Sequence, residues 1–140
     1  MINSESYDGG NVDQAIENID QNLHPNVQRM FHVILDRIKS YTETSNLYLS
    51  APSSEQWITV KKSPRKAVIA FRNDNLGNLK FDIDTYADND ITDNKGLLEL
   101  IPDPEKPNKR HVAHVTPKTS DNDLEYFISK MLEGMRKLDR

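Results

Sequence analysis

The chain has 140 residues and a net charge of −4, with 36% apolar and 29% charged residues and no cysteine. That length supports one core, and the absence of cysteine excludes disulfides, thiolate zinc sites and cysteine nucleophiles. No apolar run approaches the roughly 20 residues of a membrane helix, and residues 1–11 lack the basic start and apolar stretch of a secretory signal, so a cytoplasmic protein without membrane contact is expected.

Residues 1–10 hold two glycines and little to bury, so they are expected to form a flexible arm ahead of a single domain over 11–140. From Asn11 the apolar positions Val12, Ala15, Ile16, Ile19 and Leu23 recur at steps of three and four, which predicts a short amphipathic helix. His24-Pro25 ends it, because a proline ring disfavours helical geometry at the preceding residue. Pro25 also suits the first turn of a new helix. Val27, Met30, Phe31, Ile34, Leu35, Ile38 and Tyr41 then make one stripe over about 25–41, and core packing accounts for it.

After Thr42 the period changes to two. Short apolar-alternating segments follow at 46–50, 56–61, 67–72, 78–84, 97–101 and 111–115. Ser63-Pro64 and residues 73–77 are turn-forming connections too short for a crossover, so consecutive antiparallel hairpins are expected. Thr119 or Ser120 can cap a last helix over about 120–138. Its stripe is Leu124, Phe127, Ile128, Met131, Leu132, Met135 and Leu138, with Lys130, Glu133, Arg136 and Lys137 on the other faces. The expected fold is α+β: a mainly antiparallel meander of about five strands, two long helices on one face, and a short N-terminal helix.

This layout, closing on "HVTPKTSDNDLEYFISKMLEGM", resembles a small α+β domain of unknown function found in bacteria and archaea. That domain occurs alone or at the C-terminal end of predicted nuclease-type and defence-associated proteins. The resemblance spans about residues 27–138 and implies a compact binding or accessory module. It carries over no catalytic residue, and "PDPEKPNKRHVAHV" departs from the glycine-rich turn usual before the family's last strand.

Several constellations bear on chemistry. His111 and His114 have a metal-like spacing, but three residues apart on a strand they face opposite ways. Asp88, Asp90, Thr92 and Glu99 match positions 1, 3, 5 and 12 of a calcium loop, yet Asp93 stands where that loop needs glycine. Asp82 and Asp84 share a strand face and would suit a metal-dependent hydrolase, though without an adjoining Glu-x-Lys. There is no serine elbow and no phosphate-cradling glycine loop, so the reading leans away from an enzyme and implies no cofactor or metal.

Charge is unevenly placed. Residues 61–80 sum to +5 and 106–118 to +4, whereas 1–23 sum to −5 and 81–105 to −7. Lys61, Lys62, Arg65, Lys66 and Arg72, with Lys109 and Arg110, are the candidate contacts to nucleic acid or another polyanion, provided that segments 61–72 and 106–118 converge. Trp57, Tyr48 or Phe71 would offer stacking surfaces. The alternative from another class is a protein-binding inhibitor or adaptor, of phage or defence type, using the acidic loop and N-terminal helix. Lysines that merely blunt sheet edges are the plainer explanation of the basic residues.

Overall fold

A computed structural model of the chain describes residues 9–86, 90–102 and 108–140. The order is α1 (Val12–Asp20), α2 (Pro25–Thr42), β1 (Tyr48–Ser50), β2 (Trp57–Ser63), β3 (Lys66–Asn73), β4 (Leu79–Thr85), β5 (Glu99–Pro102), β6 (Lys109–Val115) and α3 (Asp121–Asp139). The α+β class and the helix-bearing ends match expectation. The sheet has six strands rather than about five, because two very short edge strands, β1 and β5, both pair.

Local chemistry explains the helix boundaries. The Asn11 side chain accepts from the Gln14 N–H at 3.0 Å, and Ser120 accepts from the Asp123 N–H at 3.1 Å, each satisfying an otherwise orphaned donor of a first turn. Thr119 instead accepts from the Thr116 N–H. Pro25 occupies the first turn of α2, where the missing N–H costs nothing.

All strand pairs are antiparallel, in the order β1-β2-β3-β4-β6-β5. The first four form the expected meander. The chain then passes the position of β6, forms the outer strand β5, and returns through β6. Residues 91–98, ahead of β5, are held under α3: Asp93 accepts from the Leu97 and Leu98 N–H groups and from the Tyr126 hydroxyl, and Ile91 and Leu98 are buried. Burial works to raise the Asp93 pKa, but these donors outweigh it and hold the carboxyl below its ordinary value.

The core lies between the helices and one sheet face. The Phe31 ring meets Phe71 at 6.1 Å, and Phe127 meets Phe81 edge-on at 5.1 Å, so both long helices pack on the same side. Ile58, Val60, Ile69, Leu79, Phe81, Ile83 and Val115 alternate toward them, all fully buried. Opposite Val60 and Lys61 a β-bulge in β3 turns Val68 inward as well. Its Cγ2 lies 3.3 Å from where a Cβ on Gly134 of α3 would stand.

One expectation needs correction. Lys130 does not lie on a solvent face of α3: it is buried, its Nζ 3.0 Å from Glu133 and 5.4 Å from the Tyr126 ring centroid. Gly9 bridges to Pro52 and the Gly10 N–H donates to the Ala51 carbonyl at 3.1 Å, while residues 1–8 lie outside the described residues. A Cβ on Gly10 would stand 1.9 Å from the Pro52 oxygen, so only glycine fits that approach. Among the described residues no helix is long and apolar enough to cross a membrane.

Candidate polyanion interface on the open sheet face

Because the helices cover one face of the sheet, the alternate residues of every strand point to the other. Register sorts these into three rows across the strands. The first is Trp57, Arg72, Lys80 and His114, on β2, β3, β4 and β6. The middle row is Ser50, Thr59, Ala70, Asp82, Val112 and Glu99. At the far end, Tyr48 pairs with Lys61 and Lys61 with Ala67, while Asp84 pairs with Arg110 and Arg110 with Ile101.

The far end is where the two basic segments meet. The β2–β3 turn, the end of β4 and the start of β6 all lie there, and Lys61, Arg65, Lys109 and Arg110 line one cleft of about 450 Å³. Its floor carries Asp84. The Arg110 Nε lies 3.5 Å from both Asp84 and Asp82, and the Lys109 Nζ 3.7 Å from Asp90. Burial pushes the Asp84 pKa up to about 6; Arg110 pulls it down and Asp82 pushes it further up.

The remaining predicted cations separate from this cleft. Lys62 points to the helix side, where its ammonium donates to the Leu138 and Arg140 carbonyls at 2.9 and 3.1 Å and so caps the C-terminal end of α3. Lys66 rests over the Tyr86 ring, 5.2 Å from its centroid, at the cleft margin. Arg72 belongs to the first row, at the opposite end of the face. A smaller hollow of about 180 Å³, lined by Trp57, Ala70, Arg72, Asp82 and Arg110, joins the two ends. Lys106 lies outside the described residues.

Of the stacking candidates, Trp57 stands 41% exposed on this face, Tyr48 is half-buried on it, and Phe71 is unavailable because it is buried beneath the helices. Arg72 and Lys80 could have been aligned from sequence, since they are equally spaced from the centre of the 73–79 turn. The place of β6 could not.

The other constellations resolve as follows. His111 faces the helix side and is buried, 3.3 Å from the Thr85 hydroxyl, whereas His114 is on the open face. Burial holds His111 below the ordinary imidazole range against the pull of Asp90 and Asp93. Asp82 and Asp84 share the open face with a guanidinium between them. Asp88 of the calcium-like set lies outside the described residues. Among the described residues no group of three or more His, Asp or Glu could hold a metal ion.

The fold and this face define an α+β domain with one helix-covered sheet surface and one charged, aromatic-bearing open surface. No family model, curated protein or solved structure matches the chain.

Proposed function

We propose that the protein is a non-enzymatic binding module that engages single-stranded nucleic acid across its open sheet face. The observation that carries the reading is the meeting of Lys61 of β2 and Arg65 of the β2–β3 turn with Lys109 and Arg110 of β6 around one cleft. The Lys109–Asp90 pair is half-exposed on both sides and contributes little, so a strand's phosphates can displace it, while the Arg110 guanidinium is itself more than half exposed above Asp82 and Asp84. Trp57 on the same face favours a single strand over a duplex, because unstacked bases can lie on an exposed ring. An accessory role of this kind agrees with what the sequence resemblance implies. The adaptor reading has less support: in the acidic loop, Asp93 is engaged by the loop's own backbone and Tyr126, and Asp90 faces Lys109 and His111.

The test is fluorescence anisotropy with a labelled single-stranded oligonucleotide. About four phosphate contacts on a single strand give a log–log salt slope near −3, or roughly a 50-fold loss between 50 and 200 mM salt. The double substitution Lys61→Glu with Arg65→Glu is expected to abolish binding. Absence of binding at the lower salt, or binding indifferent to that double substitution, overturns the proposal.

A further inference from the structure

We propose that the cavity at the Trp57 end of the open face is a second site, which takes one nucleotide unit, its phosphate between Arg72 and Lys80 and its ring on Trp57. The inference shares the ligand class and Trp57 with the preceding reading but stands on different cations.

Four observations support it. The cavity, about 760 Å³, has the size of a small-molecule site. One wall is a cross-strand row, Trp57, Arg72, Lys80 and His114, in which each residue is directly opposite the next, and the facing wall is Asn18, Ile19 and Asn22 at the end of α1. Direct partners in antiparallel strands have Cα atoms about 5 Å apart, so the guanidinium and ammonium of Arg72 and Lys80 can reach the same anion.

The third observation concerns charge. Two like charges directly opposite one another destabilise a sheet. Among the described residues neither Arg72 nor Lys80 has a carboxylate within ion-pair distance. The nearby acids are committed elsewhere. Asp82 faces Arg110, and Asp74 accepts from the Leu76 and Asn78 N–H groups and from the Asn78 amide. Although burial works to raise its pKa, these bonds hold Asp74 below the ordinary carboxylate range. Only His114, 3.9 Å from Asp74, touches an acid. A bound phosphate dianion would relieve the repulsion within the row.

The fourth is the character of the rim. The Asn75 and Gln56 side chains stand at the edge with exposed amides, groups that donate to and accept from base edges, beside the exposed Trp57 ring. A phosphate, an aromatic ring and hydrogen-bonding ring edges occur together in a nucleotide, whether free or part of a strand.

Trp57 is the only tryptophan, so its fluorescence reports on this end of the face, and the Arg72 and Lys80 substitutions assign a change to the cavity. Titration with a nucleoside monophosphate is expected to quench it saturably, with inorganic phosphate competing and the bare nucleoside binding at least tenfold more weakly. Arg72→Gln with Lys80→Gln is expected to weaken mononucleotide affinity by at least tenfold without lowering the thermal midpoint. Lys61→Glu with Arg65→Glu is expected to leave it unchanged.

Absence of saturable quenching, or quenching insensitive to the Arg72/Lys80 pair, overturns this inference even if oligonucleotides bind at the other cleft. Mononucleotide binding in a protein that ignores oligonucleotides supports it while refuting the preceding reading. An oligonucleotide that quenches Trp57 and loses affinity in both double variants supports both, with one strand spanning the face.

Discussion

Asp84→Asn is expected to stabilise the protein at neutral pH and to leave it almost unchanged in acid. The Asp84 carboxyl is 24% exposed on the cleft floor, and its pKa is pushed up to about 6 from the 3.8 of a free side chain. The cause is burial first, with Asp82 adding to it and Arg110 opposing. The folded protein therefore holds this proton more tightly than the unfolded chain does. Its contribution to stability is fully present below pH 3.8 and is lost as the pH rises through about 6.

The gap of about two pH units, at 1.36 kcal/mol each, makes the ionised form about 3 kcal/mol costlier to fold than the neutral one. Asparagine is neutral at every pH. At pH 7.5 the variant should thus gain up to about 3 kcal/mol, and with an unfolding entropy of about 0.3 kcal/mol/K for this length the midpoint should rise by roughly 10 °C. Thermal melts of both proteins across the acid to neutral range check this. The difference should shrink steadily toward acid. A variant less stable than its parent at pH 7.5, or a difference independent of pH, would show that the Arg110 pairing outweighs the cost of burial.

Two further substitutions test other parts of the structure. Lys62→Met removes the two bonds to the end of α3 and should cost about 0.5–1 kcal/mol in denaturant melts while leaving oligonucleotide affinity unchanged, which separates Lys62 from the cleft cations. Tyr126→Phe deletes the bond to Asp93 and should cost about 1–2 kcal/mol, with faster amide exchange at Lys95 and at the Asp93-bonded Leu97 and Leu98.

Periodicity made most of the fold legible. The stripes of α2 and α3 are unbroken apolar runs at the helical period, and the alternation in β4 gives the core face as Leu79, Phe81 and Ile83 without ambiguity. Lys130 is buried because the enclosed face of α3 is wider than its apolar stripe. The ring of Tyr126 and the carboxylate of Glu133 make a polar but enclosed seat for it. The two edge strands, three and four residues long, fall at the alternating segments 46–50 and 97–101, but so short a period does not show whether each joins the sheet. The order β4-β6-β5 depends on a crossing segment anchored through Asp93 to Tyr126, a contact between residues 33 positions apart that no local pattern encodes.

The basic residues show why a charge cluster in sequence is a poor guide to one in space. Residues 61–66 carry four cations, but strand alternation and the turn send them in different directions: Lys61 and Arg65 to the cleft, Lys62 under α3, Lys66 onto Tyr86. Arg72 and Lys80, eight positions apart in sequence, become direct neighbours because the 73–79 turn folds them together. Net charge per segment therefore measures the wrong quantity. What decides whether a cation is available to a phosphate is the face its strand parity selects and whether an acid lies opposite it in register. At Arg110 one acid, Asp84, lies opposite and a second, Asp82, lies diagonally at 3.5 Å; at Arg72 the β4 residue opposite is another cation. By that criterion the Trp57 end of the face, which looks unremarkable in sequence, holds, among the described residues, positive charge with no acid opposite it in register.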